Sequence, residues 1–189
     1  MRLSDAGVRA ALASADGPWN SRPGLRDAAV LLILVSRPGG DFVLFTRRRD
    51  DLPWHAGQVS FPGGAREGDE SPARCALREA AEEVGLVETE LTLLGRLPDR
   101  YSIAGFWVAP IVGRLAAPRP YAPQTAEVAE VFEVPLQPMF DPERWRARPS
   151  THPRARGALI PFFDHEGRTV WGLTAMILRD FLALVPPGA

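Results

Sequence analysis

Residues 71–85 read Ser71-Pro72-Ala73-Arg74-Cys75-Ala76-Leu77-Arg78-Glu79-Ala80-Ala81-Glu82-Glu83-Val84-Gly85. Ser71 is a side chain suited to cap a helix. Pro72 fits the first helical position, where no N–H is required. Gly85 stands where a C-terminal cap adopts left-handed backbone. The stretch therefore predicts a helix over Pro72–Val84. Ala73, Ala76, Leu77, Ala80 and Val84 recur at threes and fours, the stripe a helix turns toward a core. The remaining face carries Glu79, Glu82 and Glu83.

That acidic face gains nothing for the helix itself. Like charges three or four apart destabilise a helix by about 0.2–0.5 kcal/mol per pair, and carboxylates in the C-terminal half oppose the helix dipole. A solvated acidic face is one reading of such a run. A divalent cation bound where the three carboxylates converge reverses the sign of each unfavourable term, and hard oxygen donors suit magnesium or manganese. The surroundings favour the cation. Glu70 precedes the helix, Arg78 adjoins Glu79, and Gly63-Gly64 permit close approach of backbone to a ligand or metal.

Working outward, Gly64 is followed after five residues by Glu70, and after seven more by Arg78-Glu79-Ala80-Ala81-Glu82-Glu83-Val84-Gly85-Leu86. This pattern resembles the Nudix box, with Ala80 smaller than the usual bulky apolar residue. The resemblance implies a Nudix-like α/β/α sandwich around a mixed β-sheet and hydrolysis of a nucleoside diphosphate linked to another moiety. It also implies metal-binding roles for Glu79, Glu82 and Glu83, with Mg2+ or Mn2+ as the cation. Arg78 matches the arginine that orients the carboxylates, and Glu70 an auxiliary partner, so Glu82, Glu70 and Arg78 form the expected catalytic set. The chemistry agrees, since metal ions neutralise an anionic diphosphate and make bound water a better nucleophile.

The segment before the box narrows the expectation. Leu44-Phe45-Thr46-Arg47-Arg48 and Gly57-Gln58-Val59-Ser60-Phe61-Pro62-Gly63-Gly64 are similar to the extra signature of the coenzyme A pyrophosphatase branch. Phe45, Arg49 and Pro53 depart from it, standing where the signature has leucine, serine and arginine. The stretches 105–115, 127–136 and 171–175 also resemble that branch. Coenzyme A asks for cations for its 3'-phosphate, an apolar or aromatic surface for adenine and a groove for pantetheine. Arg47, Arg48, His55, Phe61, Gly63 and Gly64 are the expected substrate-binding residues, with Arg49 and Trp54 beside them. Asp50-Asp51 make a salted surface loop the competing reading of the arginines. Glu127 and Glu130 either supply a base opposite the helix or form the solvated side of a strand. His152 and His165 have no ligand partner at metal spacing.

Composition bounds these readings. With 189 residues, 46% of them hydrophobic, the chain is long enough for one sizeable core, read as a single domain with its core over about 28–185 and a short helix and linker before it. A formal net charge of -1 offers no basic face for a nucleic acid polymer and no basic run for a membrane surface. A small nucleotide-derived molecule, coenzyme A, is the expected partner. The single Cys75 excludes an internal disulfide, fits a reducing cytoplasm and is assigned to the helix surface. The N-terminus lacks a signal-peptide pattern, and the apolar run Ala28–Val35 falls short of the ~20 residues a membrane helix needs.

The remaining elements follow from periodicity. Ala28–Val35 reads as a strand buried on both faces, and Phe42–Thr46 as its hairpin partner after the turn at 37–41. Prolines and glycines predict irregular chain over Arg47–Gly64. Leu91–Leu97, Phe106–Leu115 and Val128–Val134 read as strands. Ser4–Ala15 reads as a short amphipathic helix, and Gly172–Val185 as a helix buried through Leu173, Met176, Ile177, Phe181 and Leu184.

Overall fold

The computed structural model describes residues 1–117 and 119–188. Among the described residues the chain forms three α-helices, α1 (Asp5–Ala11), α2 (Pro72–Val84) and α3 (Gly172–Leu184), and two sheets. The larger sheet contains β1 (Arg26–Arg37), β2 (Gly40–Arg48), β3 (Val59–Ser60), β4 (Gly63–Ala65), β5 (Leu91–Arg96), β6 (Arg100–Ser102), β7 (Phe106–Leu115) and β8 (Val128–Pro135). The smaller contains β9 (Trp145–Pro149), β10 (Leu159–His165) and β11 (Arg168–Trp171).

β1 is the spine of the larger sheet, because its unbroken apolar run can be covered on both faces. Along one side it runs parallel to β7, from Arg26↔Phe106 to Val35↔Leu115. On the other side its first half pairs with β4 and its second half with β2. The remaining pairings are antiparallel, so the sheet is mixed. The expected hairpin forms, with Ile33 opposite Leu44 and Arg37 opposite Gly40.

Alternate residues of β1 serve opposite layers. Ala29, Leu31, Ile33 and Val35 pack with Cys75, Ala76, Ala80 and Val84 of α2. Ala28, Leu32 and Leu34 pack with Phe45, Phe163, Ile177 and Phe181, so α3 and the small sheet cover the other face. This is an α/β/α sandwich around a mixed sheet. Ala80 is fully buried. Its methyl lets α2 lie close to the sheet, and a larger side chain there would overpack the interface by about 1–3 kcal/mol.

Helix α2 has the predicted limits and caps: the Ser71 hydroxyl accepts from the Arg74 N–H, and Gly85 takes φ 71°. Several expectations are corrected. Cys75 is buried, not on the helix surface, because it faces β1 rather than solvent. Helix α1 stops at Ala11, and Ala13 instead bridges Arg96. Leu3 and Val8 enter the core, which therefore takes in residues before 28. The buried stripe of α3 is Thr174, Ala175, Ile177, Leu178 and Phe181, while Leu184 is exposed. β3 and β4 interrupt the segment expected to be irregular. β6 and the whole small sheet have no counterpart in the predicted elements.

Candidate active site

The site is built where β4 lies beside α2. β4 holds Gly63 opposite Val30 and Gly64 opposite Ala29. Neither glycine is replaceable without displacement. A Cβ on Gly63 would sit 2.5 Å from the Ala29 carbonyl oxygen, and one on Gly64 would sit 2.2 Å from the Glu79 carboxylate. The missing side chains let two carboxylates approach the strand. Glu79 lies against Gly64, and Glu83 Oε2 accepts from the Gly63 N–H at 3.3 Å.

Arg78 organises the acidic side chains. Its Nε and Nη2 donate to the two carboxylate oxygens of Glu70 at 3.1 and 2.9 Å, a bidentate fork. Nη1 donates to Glu79 at 2.8 Å and to Glu82 at 3.2 Å, and Nη2 also reaches the Ala65 carbonyl at 3.0 Å. One guanidinium thus ties α2 to β4 and to the approach segment. The fork holds Glu70 below the usual carboxylate range. Trp19 supports the same segment through Nε1 donating to the Glu70 carbonyl at 2.7 Å.

Burial sets the electrostatics of the other carboxylates. It raises the Glu79 carboxyl despite the hydrogen bond from Arg78. Glu83 is 8% exposed. Burial, reinforced by Glu79 and Glu127 and opposed by the Gly63 N–H and Arg48, pushes its carboxyl up to about 7. Glu82 remains half-exposed beyond Arg78. Glu79 and Glu83 are therefore brought to the glycine strand, while Glu82 stands on the solvent side. Among the described residues no three His, Cys, Asp or Glu side chains close into a ready metal cage.

The donor set nonetheless fits a hard divalent cation. Glu79 and Glu83 are oxygen donors withdrawn from water, and burial raises both because the Arg78 hydrogen bond at Glu79 and the Gly63 N–H at Glu83 do not offset the lost hydration. A cation there would offset the desolvation that raises them, and the glycine strand leaves backbone rather than side chains at the opening.

The expected substrate residues lie in different settings. Arg47 Nη1 meets Asp50 at 2.9 Å and its Nε faces Glu130 at 3.7 Å. Arg48 meets Glu127 at 3.5 Å, leaving its Nε buried with no partner among the described residues. Arg49 pairs with Asp51 at 2.6 Å. Glu130 is also paired with Arg168. His55, at φ 57°, is exposed and shares a 2.7 Å hydrogen bond with Gln58. Trp54 projects into solvent, 77% exposed. Phe61 is a correction: it is 2% exposed and stacked on Phe45 with centroids 5.2 Å apart, so its ring fills the core and leaves no face for a base.

Two contributors escaped the sequence reading. Trp19 gave no local signal, lying next to Gly17-Pro18. Cys75 donates from Sγ toward the Gly64 carbonyl at 3.6 Å, and burial pushes its thiol up to about 12, so it supports the strand as a neutral group.

The family model described as the NUDIX domain matches residues 25–155. The uncharacterized Nudix hydrolase NudL of Pectobacterium atrosepticum is 42% identical over 156 residues, covering 82% of this chain and 80% of that protein. Its namesake in Yersinia pseudotuberculosis is 40% identical, covering 82% and 77%. Among solved structures, RenU, a Nudix hydrolase of M. smegmatis, matches with TM-score 0.51 and 30% identity over 67% of this chain and 79% of that one. DR0079 of Deinococcus radiodurans shares the fold alone, with TM-score 0.55 and 14% identity over 85% and 88% of the chains. The chain belongs to the Nudix hydrolase family. As a member it is an enzyme that acts on small nucleoside diphosphate derivatives, in a family that generally requires divalent metal cations. No described helix is long and apolar enough to cross a membrane.

Proposed function

We propose that this enzyme hydrolyses the diphosphate of coenzyme A or its derivatives, releasing 3',5'-ADP and 4'-phosphopantetheine or acyl-phosphopantetheine. The observation that carries the diphosphate reading is the pair of withdrawn carboxylates, Glu79 and Glu83, set against a strand whose glycines leave room for an anion. The similarity of residues 44–64 to the coenzyme A pyrophosphatase signature supports the choice of substrate.

In this reading Glu79, Glu82 and Glu83 hold Mg2+ or Mn2+. When bound, the metal supplies charge neutralisation of the diphosphate and a more acidic water. The Gly63 and Gly64 backbone admits the diphosphate. Arg78 holds Glu70, Glu79 and Glu82 in register. Glu82, the most solvent-open of the three metal carboxylates, takes the proton of the attacking water as the new P–O bond forms. The bridging P–O bond breaks, and the released phosphate carries away the electron pair.

A second reading, the same chemistry on another nucleotide derivative such as a dinucleotide or nucleotide sugar, draws on two observations. Pro53 replaces an arginine of the signature, and Arg47–Arg49 are occupied by carboxylates. Purified protein with Mg2+ or Mn2+ and a panel of diphosphates, with products resolved by chromatography, decides between them. The expected result is coenzyme A ahead of dinucleotides in kcat/KM and no turnover in excess chelator. The reverse ranking removes coenzyme A, and turnover in chelator removes the metal mechanism.

A further inference from the structure

A substrate of the coenzyme A kind carries a phosphomonoester besides its diphosphate. The first candidates to meet that extra anion, Arg47, Arg48 and Arg49, already face Asp50, Glu127 and Asp51. Another cation is available on the opposite side of β4. There, on the sheet face away from α2, a groove of about 160 Å3 is lined by Ala28, Val30, Gly63, Gly64, Phe106 and Val108. Phe106 also carries a cation, because the Arg26 guanidinium lies over its ring 4.1 Å from the centroid.

The register of the sheet fixes this arrangement. Arg26 is paired with Phe106 across β1 and β7, and Ala29, three residues further along β1, is paired with Gly64. Arg26 therefore stands about 10 Å along the strand from the glycine that touches Glu79. It is exposed, and among the described residues it makes no ion pair and no side-chain hydrogen bond. The adjacent Asp27 accepts through Oδ2 from Ser21 at 2.6 Å and Arg66 at 3.3 Å, and, as the next residue of β1, its side chain is turned to the opposite sheet face from Arg26, with its Oδ1 buried there. A guanidinium resting on an aromatic ring has fewer rotamers to lose on binding, and its planar fork matches a phosphate.

We propose that Arg26, held on Phe106, binds a phosphomonoester of the substrate while its diphosphate passes over the glycine strand to the glutamates. The residue thereby selects nucleotides that carry this extra phosphate. The inference rests on the diphosphate-site reading of Glu79 and Glu83 and extends it to a specificity residue on the other sheet face.

The test is a calorimetric titration of the full chain with adenosine 3',5'-bisphosphate and with 5'-AMP, in the wild type, Arg26→Ala, Arg26→Lys and Phe106→Leu. A charge-assisted contact predicts that the wild type binds the bisphosphate about tenfold or more tightly than AMP. Arg26→Ala should abolish that preference while leaving AMP binding in place, and Arg26→Lys and Phe106→Leu should each retain part of it. Equal wild-type affinity for the two ligands, or equal loss for both in Arg26→Ala, overturns the proposal. The readout needs no turnover, so a failure of coenzyme A hydrolysis in the substrate panel is separately visible.

Discussion

The acidic region of α2 and the arginine stretch at the end of β2 balance charge in opposite ways. On α2, Glu79 and Glu83 are drawn out of water, and Arg78, the cation beside them, is shared with Glu70 and Glu82. At the end of β2 each of Arg47, Arg48 and Arg49 meets carboxylates on neighbouring chain. The first region lacks positive charge, and the second has little to spare for an anion. Both look simply charged in sequence, and in the proposed function only the carboxylate region takes a ligand of opposite sign.

The largest expected consequence of that imbalance is catalytic. Glu83→Gln should lower kcat by about a hundredfold or more, equivalent to about 2.7 kcal/mol of barrier, with circular dichroism unchanged. Turnover near the wild-type level would mean that the Glu83 carboxylate holds no metal needed for hydrolysis.

The two glycines should separate stability from activity. Gly63→Ala places a methyl on the β1 backbone, and urea unfolding should register a loss of about 2 kcal/mol or more. In Gly64→Ala the methyl meets the far end of Glu79, which can swing away. That variant should lose under about 1 kcal/mol of stability and about tenfold in turnover as the carboxylate is displaced. Equal stability losses would contradict the placement of Glu79.

A smaller effect is linkage to pH in metal-free protein. The Glu83 carboxyl rises from its ordinary value of 4.5 to about 7 on folding. The folded state therefore binds the proton more tightly, so the contribution is complete below about pH 4.5 and is lost as pH rises through about 7. Glu79, raised in the same direction, adds to the fall. Metal-free Glu83→Gln should be more stable than the wild type at pH 8 by on the order of 1–3 kcal/mol and should flatten the pH dependence of Tm. A wild-type Tm that climbs over this range would contradict the sign. The smallest effect belongs to the arginine stretch, where Arg47→Ala should change stability by about 0.5 kcal/mol or less in thermal melts, because its partners are solvent-exposed or shared.

These contrasts explain what could be read in advance. The ends of α2 and its buried stripe were legible because Ser71, Pro72 and Gly85 are local signals and the helical period is regular. The β1–β2 hairpin was legible for similar reasons. The small sheet was not. β9 is only five residues, Trp145-Arg146-Ala147-Arg148-Pro149, and β10, with Pro161 inside it, does not alternate. Prolines weaken a strand reading, although both strands pair with neighbouring segments of the chain, β10 with β9 on one side and with β11 on the other. Within the site, spacing placed Glu79, Glu82 and Glu83 on one face but could not assign their rotamers or burial. Arg78 draws Glu82 outward, while the Gly63 N–H holds Glu83 in. Phe61 belonged to the core because the strand preceding Gly63 turns its ring onto Phe45, a contact no local pattern encodes.

The most direct test is a calorimetric titration of metal-free protein with Mn2+ at pH 7.5, in the wild type and in Glu79→Gln and Glu83→Gln. The charge imbalance predicts saturable binding in the wild type that is abolished or greatly weakened in both variants. Binding of equal strength in all three proteins would contradict the assignment of the glutamate site.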